Sequence, residues 1–488
     1  MSIRPGKLDK KALSNFDQKL FNTGVEVSGV SINATEVKSG DLFIALPGAK
    51  THGMNFIDEA ISNGAVAVLS DRKIDCSIPV FVDQTPRDLV GPISDWLYNK
   101  PFSKLVAVGI TGTNGKTTTA NLVKQLWDLN NINSGVIGTL GVEIGTEKIA
   151  GVRTTPEADE LQALAAVMLE RRSTHLVMEV SSIAIDQSRV NGAKYKVVAF
   201  SNLTQDHLDY HKNMDEYFKA KAMLFNSEYA QNAVINIDDS YGKKLFEISK
   251  ITNKSVSRND KNADWYYSKI ESQNDGYKVE ISDKNGQVIS GNFPLIGEHN
   301  LDNLLLAIAS VSICGLTNTQ ISNAIAKLKS VPGRLEIISA GQSFSALVDY
   351  AHTPDAVNRV LKSARTFTSG RIIGVLGCGG DRDKSKRSPM GQALFSGSDL
   401  AIFTSDNPRN EKADQILKEM TEGIDLAKKG FVLTDRKEAI DFAVKMAKPG
   451  DCILLMGKGH ESGQEINGVV TAFDDRVELL DSIRQVAK

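Results

Sequence analysis

The sequence predicts an α/β protein built in three parts, two of them around mostly parallel sheets, on three observations. At 488 residues the chain exceeds one ordinary hydrophobic core, and about 150 residues per domain suggests roughly three. Two separate series of short apolar runs alternate with helical patterns, which marks buried parallel strands joined by helices. Lys100-Pro101 and Val331-Pro332-Gly333 interrupt the pattern, since proline restricts the residue before it and glycine lets the chain turn.

Residues 1–101 are expected to hold short strands at 41–46 and 65–69, with an amphipathic helix at 56–63 between them. From residue 105, apolar runs at 105–110, 176–180, 197–203 and 233–237 read as buried strands of one sheet, with a helix at 118–128. The polar, alternating stretch 250–292 reads as an antiparallel excursion at that sheet's edge. A strongly apolar helix at 301–314 closes the central part, 102–332. The last part, 333–488, repeats the alternation, with strands at 347–350, 372–376, 400–404 and 452–456 and helices at 355–364 and 437–447. That is a second doubly wound unit.

Composition narrows the function classes. Hydrophobic residues make up 41% and charged residues 24% of the chain, as in ordinary globular proteins. A net charge of −2 gives no reason to expect nucleic acid or an anionic membrane as partner. No apolar run reaches the ~18 residues that span a bilayer, and the N-terminus lacks a signal-peptide core. Cys76, Cys314, Cys378 and Cys452 show neither CxxC nor zinc spacing, which suits a reducing cytoplasm.

The strongest motif is Gly109-Ile110-Thr111-Gly112-Thr113-Asn114-Gly115-Lys116-Thr117-Thr118. It departs from strict GxxxxGK[ST], whose first glycine would stand at Ile110; its core is GTNGKTT. It follows a strand and precedes a helix, the context a phosphate loop requires. Glycines let backbone N–H groups approach phosphate oxygens, and the helix N-terminus adds favourable partial charge. Lys116 would neutralise β- and γ-phosphates, and Thr117 would offer its hydroxyl to Mg²⁺. An incidental glycine-rich turn would need neither flanking element.

Glu179, near the end of its strand, and His207, just beyond the next, sit where open α/β sheets bind ligands. They are candidate Mg²⁺ ligands, although Mg²⁺ prefers oxygen and a lone histidine reads more simply as a hydrogen-bonded loop residue. In the helix at 214–225, Met214, Tyr217, Phe218, Leu224 and Phe225 follow a 3.6-residue period. Lys221 falls on that stripe and Lys219 lies away from it. An inward lysine must pair with a carboxylate or lose its charge. Spacing leaves two outcomes, a buried ion pair, the simpler, or a neutral amine that captures CO₂ as a carbamate able to bind Mg²⁺.

Taken together, GTNGKTT at 112–118, Glu-Val-Ser-Ser at 179–182, the run Asn-Leu-Thr-Gln-Asp-His-Leu-Asp-Tyr-His at 202–211 and Ala-Lys-Ala-Met-Leu-Phe at 220–225 resemble the Mur ligases. So do Val-Pro-Gly-Arg-Leu-Glu at 331–336, Val-Asp-Tyr-Ala-His-Thr-Pro-Asp at 348–355, Gly-Cys-Gly-Gly-Asp-Arg-Asp at 377–383, Ser-Asp-Asn-Pro-Arg at 405–409 and Gly-Lys-Gly-His-Glu at 457–461. The resemblance spans nearly the whole chain in one order. It is strongest to the MurE type, which extends UDP-N-acetylmuramoyl-L-alanyl-D-glutamate to the tripeptide in peptidoglycan precursor synthesis.

The resemblance implies a small α/β UDP-binding domain (1–101), a central P-loop ATPase domain (102–332) and a C-terminal Rossmann-like domain (333–488) that binds the incoming amino acid. It implies a cytoplasmic, monomeric, ATP- and Mg²⁺-dependent ligase that joins a diamino acid to the D-glutamate through an acyl phosphate. Lys221 would be carbamylated (N6-carboxylysine) and would hold metal with Thr117, Glu179 and His207. ATP would meet Gly112, Thr113, Asn114, Gly115, Lys116, Thr117 and Thr118, with adenine near Asn300 and Asn303 and with Arg334 and Asp349 joining on closure. The UDP substrate would meet Ser31, Thr154, Thr155, Ser181, Gln187 and Arg189. Two departures stand out: Asn33-Ala34-Thr35 replaces the Asp-Ser-Arg that meets uridine, and Ile183 replaces a histidine.

For the amine, the resemblance assigns Arg387, Asp406, Asn407, Pro408, Arg409, Gly457 and Glu461. The planar fork of Arg409 suits a carboxylate held bidentately. meso-Diaminopimelate carries one at its far end, whereas lysine ends in an ammonium that arginine would repel. The same reaction with L-lysine or L-ornithine, a sister ligase such as folylpolyglutamate synthetase, and a P-loop switch without ligation are the competing readings.

Overall fold

The computed structural model describes residues 3–6, 8–48, 51–149, 151, 153–273 and 276–486. Its strands assemble into three main sheets with helices packed on their faces.

The N-terminal sheet holds four parallel strands in the order Gly29–Ser31, Asp41–Ala45, Ala65–Ser70 and Val80–Val82. Every residue of Asp41–Ala45 is buried, as a strand covered on both faces requires. The expected helix is Ile57–Ser62, preceded by a 3₁₀ turn at Gly53–Phe56.

In the central sheet of eleven strands, Ser134–Gly138, His175–Glu179, Val106–Thr111, Tyr195–Phe200, Ala230–Asn236, Thr252–Ser257 and Trp265–Gln273 run parallel in that spatial order. A hairpin pair, Gly141–Ile144 and Glu147–Ile149, flanks one side. On the other, Gly276–Asp283 and Val288–Phe293 turn back antiparallel. The antiparallel excursion expected over 250–292 therefore needs correction at its start. Thr252–Ser257 joins the sheet parallel, and its Ser255, Val256 and Ser257 are all buried, as in an interior strand. The polar alternation belongs to the meander that follows.

One face of this sheet packs against the helices Lys116–Asp128 and Glu298–Ile313 through Trp127, Leu304, Leu305 and Ile308. The other buries Leu164, Met168, Phe200 and Phe225. Lys116–Asp128 begins two residues earlier than expected because Gly115, at φ +88°, turns the strand directly into the helix. Met214–Ala222 ends before 225: Met223 is exposed, and Leu224 and Phe225 are buried from the turn beyond it.

The C-terminal sheet has the order Glu336–Ile337, Ser345–Asp349, Cys452–Met456, Ile372–Leu376, Leu400–Phe403 and Gly430–Val432, parallel except for the first strand. The helices Pro354–Phe367, Arg387–Gly397, Arg436–Met446 and Asp475–Val486 cover it. The carboxyl ends of the parallel strands in the central and C-terminal sheets face one cavity, the crevice where open α/β sheets place ligands.

Candidate active site

The phosphate loop is shaped by steric exclusion. Gly112 sits at φ +145°, where a Cβ would lie 1.9 Å from Ser201 Oγ. Gly115, also left-handed, would place a Cβ 2.3 Å from Asn303 Oδ1. The next strand end holds the loop: Thr113 N donates to Asn202 O at 2.9 Å, Asn114 N to Asn202 Oδ1 at 3.0 Å, and Ser201 Oγ to Asn114 O at 2.6 Å. Lys116 folds over it and donates to the carbonyls of Gly112 (2.9 Å) and Thr113 (2.8 Å). Burial, with Arg334 adding to it, lowers the Lys116 pKa against the pull of Glu179 and Asp206.

Thr117 Oγ1 donates to Glu179 Oε2 at 2.9 Å, and the Glu179 carboxylate also accepts from Thr139 N at 2.8 Å and Thr139 Oγ1 at 3.1 Å. From the C-terminal sheet's side, Arg334 Nη2 donates to the same Thr117 oxygen at 3.1 Å, its guanidinium 4.4 Å from the Tyr350 ring.

Lys221 is turned fully inward, 1% exposed, whereas Lys219 is 69% exposed and pairs with Glu216. The buried ion pair that spacing made the simpler outcome does not form: among the described residues Lys221 pairs with no carboxylate. Its ammonium donates to Gly112 O at 2.9 Å and lies 4.7 Å from the Tyr217 ring. Burial first, then the charge of Lys116, pushes its pKa well below the lysine range. His207 adopts a left-handed backbone at φ +53° and reaches Asp206 at 3.5 Å. Desolvation, then Lys116, Lys221 and Lys386, hold its pKa down against the pull of Asp206.

A cavity of about 730 Å³ gathers most of the expected residues. Thr113–Thr118, Glu179, His207, Asn303, Arg334 and Asp349 line it, as do Thr154, Thr155, Ser181 and Arg189, and from the C-terminal sheet Asp406, Asn407, Arg409, Gly457 and Glu461. Ser181 caps the helix Ser182–Asp186 by accepting from Ala184 N, and its own N–H donates to Thr155 Oγ1 at 3.0 Å. Ile183 adds an apolar wall, and the neighbouring Ser182 Oγ meets His211 Nε2 at 2.9 Å.

Several expected residues are not among those lining the cavity. Gly112 and Lys221 lie behind its wall, in contact with each other. Asn300 donates to Ile296 O at 2.8 Å and accepts from Asn303 Nδ2 at 3.1 Å. Gln187 accepts from Arg189, and Pro408 contributes backbone alone. Ser31, in the N-terminal sheet, is buried, its hydroxyl on Asn33 O at 2.9 Å, while Asn33 Oδ1 accepts from Thr35 N and Oγ1 at 3.2 and 3.0 Å.

Arg387 is likewise absent from the cavity lining. It is 1% exposed, and its guanidinium is taken by Glu411 (2.8 and 3.1 Å) and Glu419 (2.7 Å). Those bonds hold the Glu411 carboxyl down at about 2. As placed, Arg387 braces the glycine turn, Nη2 donating to Gly379 O at 3.4 Å, and does not reach the cavity.

At the other end of the cavity, Asn407 Nδ2 donates to Glu461 Oε2 at 2.8 Å. Burial and Asp406 raise the Glu461 pKa against Lys458 and Asn407. Arg409, at φ +52°, donates from Nη1 to Gly380 O at 2.8 Å. Sequence reading missed Lys458, wholly buried, whose ammonium donates to Gly463 O at 2.6 Å and lies 3.4 Å from Glu461 Oε2. A charge between two glycines at a strand end was the available signal. It also missed Asp206, which faces Lys386 (3.6 Å) and His352 (3.9 Å) across the cleft between the two sheets. Burial opposes ionisation of Asp206, but His207, His352 and Lys386 outweigh it and hold the carboxyl below its usual range.

Comparison with known proteins agrees over most of the chain. Family models match in three stretches: "Mur ligase family, catalytic domain" over residues 26–89, "Mur ligase middle domain" over 110–311, and "Mur ligase, glutamate ligase domain" over 333–459. The UDP-N-acetylmuramoyl-L-alanyl-D-glutamate--2,6-diaminopimelate ligase of Streptomyces coelicolor is 41% identical over 472 residues, covering 94% of this chain and 93% of that protein. The enzyme of the same name from Aquifex aeolicus is 39% identical, covering 92% of each. A solved structure of a UDP-N-acetylmuramoyl-L-alanyl-D-glutamate--2,6-diaminopimelate ligase superposes with a TM-score of 0.69 at 32% identity, over 98% of this chain and all of that one. The MurF ligase of Thermotoga maritima in complex with ADP shares the fold, with a TM-score of 0.64 at 18% identity over 94% of this chain and 96% of that one.

Proposed function

The chain belongs to the Mur ligase family, and on that premise we propose that it joins meso-2,6-diaminopimelate to the D-glutamate of UDP-N-acetylmuramoyl-L-alanyl-D-glutamate with hydrolysis of ATP. One observation carries the reading: a single cavity is lined at one end by the phosphate loop and at the other by Arg409 and Glu461. A nucleotide switch has no use for the second set.

The D-glutamate side-chain carboxylate attacks the γ-phosphate in line, giving an acyl phosphate and ADP; the amine then displaces phosphate. Catalysis is largely positioning and electrostatics, so no nucleophilic side chain is needed. Lys116 turns from the loop carbonyls to the β- and γ-phosphates, and Arg334 adds charge from the opposite side. Asn300, Asn303 and Asp349 belong to the nucleotide, and Thr154, Thr155, Ser181 and Arg189 to the UDP-linked substrate. Arg409 receives the distal carboxylate of diaminopimelate. Glu461, whose pKa is raised by burial, gains most from an added ammonium.

The donor set suits Mg²⁺, since the Thr117 hydroxyl and the Glu179 carboxylate are hard oxygen ligands already in contact. Together with His207 and a Lys221 carbamate they would hold the ion, which when bound supplies charge neutralisation for phosphoryl transfer.

The test is ADP release by the purified chain with each amine in turn. Release that requires both the UDP-linked dipeptide and diaminopimelate, with L-lysine and L-ornithine at least tenfold poorer in kcat/KM, is the expected outcome. Release with ATP alone would restore the switch, and preference for L-lysine would overturn the amine assignment.

A further inference from the structure

The hairpin Gly463–Ile466 and Val469–Ala472 projects beside the amine end of the cavity. Its first strand is fastened to the segment Asp406–Arg409 residue by residue. Gln464 Nε2 donates to Asp406 O at 2.7 Å, and Glu465 N to Asn407 Oδ1 at 3.0 Å. Arg409 N donates to Glu465 O at 3.0 Å, and Asn467 N to Arg409 O at 2.8 Å. Arg409 is thus bonded on both sides of its Cα in a left-handed conformation that a side chain of this size rarely adopts.

Its guanidinium is restrained as well. Nη1 is committed to Gly380 O, and Nε lies 3.3 Å from Glu465 Oε2. Among the described residues Nη2 takes no partner. A planar fork held by one hydrogen bond at Nη1 and an ion-pair contact at Nε is restrained, which favours one direction for Nη2. We propose that Glu465 is a positioning residue for amino-acid specificity: it pins Arg409 so that Nη2 is free for the distal carboxylate of the incoming amino acid. The proposal rests on the reading of Arg409 as the receiver of that carboxylate.

Pinning lowers the ordering cost of binding, so its loss falls on KM for the amino acid more than on turnover. For Glu465→Ala the KM for diaminopimelate rises roughly five- to tenfold, the scale of one partly exposed charge-assisted contact. The KM values for ATP and the UDP-linked dipeptide stay within about twofold. Glu465→Gln, which keeps an acceptor for Nε without the charge, recovers most of the wild-type KM. An equal rise in all three KM values for Glu465→Ala would make the residue merely structural, and an unchanged diaminopimelate KM would overturn the proposal. Arg409→Ala is measured alongside. If it raises the diaminopimelate KM while Glu465→Ala does not, only the positioning role falls; if Arg409→Ala has no effect, the reading beneath it falls.

Discussion

The ammonium groups of Lys116 and Lys221 converge on one acceptor, the carbonyl oxygen of Gly112, each at 2.9 Å. Two like charges on one buried carbonyl are costly, and among the described residues Lys221 forms no ion pair; burial and the charge of Lys116 outweigh Asp206 and push its pKa well below the lysine range, towards the neutral amine. A neutral amine beside the phosphate loop is the form that captures CO₂.

Lys221→Arg, which keeps its charge at any working pH, is expected to lower kcat by roughly two to three orders of magnitude, the scale of a lost electrostatic contact at a transferring group. Lys219→Arg, on the solvated face, leaves kcat as it is. With isotope-labelled bicarbonate, the carbamate resonance should persist in Lys219→Arg and vanish in Lys221→Arg. A signal that survives in Lys221→Arg assigns the carbamate elsewhere.

Arg334 reaches Thr117 across the boundary between the two large sheets while lying over the Tyr350 ring. Arg334→Ala removes both contacts and should raise the KM for ATP about tenfold or more. Tyr350→Ala removes the ring alone, and a smaller rise of about two- to fivefold follows from the modest strength of a cation–π contact. Steady-state kinetics on the two variants orders the contributions; equal effects would mean that the ring, not the hydroxyl, holds the arginine.

Arg436 and Asp475 are both wholly buried and paired at 2.6 and 2.7 Å, and Arg436 also donates to the carbonyls of Ser405 (3.1 Å) and Met456 (2.9 Å). Asp475→Ala leaves an uncompensated buried guanidinium and should cost about 3–5 kcal/mol of stability. The double replacement Arg436→Met with Asp475→Leu, apolar on both sides, should recover most of that loss. Denaturant midpoints decide the point, and a double variant no more stable than Asp475→Ala would contradict it.

His299, on the helix Glu298–Ile313, is held down at about 4 by burial and then by Arg359, Arg258 and Arg334. Its folded-state pKa lies below the ordinary value near 6.5, so between about 6.5 and 4 the unfolded chain binds the proton first. Stability is therefore fully present above that window and is lost as pH falls through it. The slope of unfolding free energy against pH should flatten over this range in His299→Gln. An unchanged slope would place the acid sensitivity on other groups.

Much of the site was legible because its signals are local. Gly112 and Gly115 stand in a strand–turn–helix whose geometry only glycine allows. Lys221 shares a helical period with Tyr217 and Phe218, so one face of one helix buried it, although the ion pair favoured on spacing required a carboxylate that, among the described residues, the fold does not bring within ion-pair distance. The parallel pairing of the strands followed from their unbroken apolar runs, while Thr252–Ser257 reads as polar because its buried hydroxyls find carboxylates just outside the neighbouring strands: Ser255 bonds Asp264, before Trp265–Gln273, and Ser257 bonds Asp238, after Ala230–Asn236.

The sequence by itself determined the α/β alternation, the phosphate loop, and which lysine of the helix Met214–Ala222 turns inward, because each depends on neighbours within a turn or two of chain. Tertiary structure alone decided which cations face the cavity. Arg387 and Arg409 look equivalent as charges in a C-terminal motif. Arg387 finds Glu411 and Glu419, 24 and 32 residues away, and is used up in the wall. Arg409 meets Gly380 and Glu465, and among the described residues its Nη2 takes no partner. A buried charge must be compensated wherever the fold supplies a partner, and no local pattern reveals which partner the fold will bring.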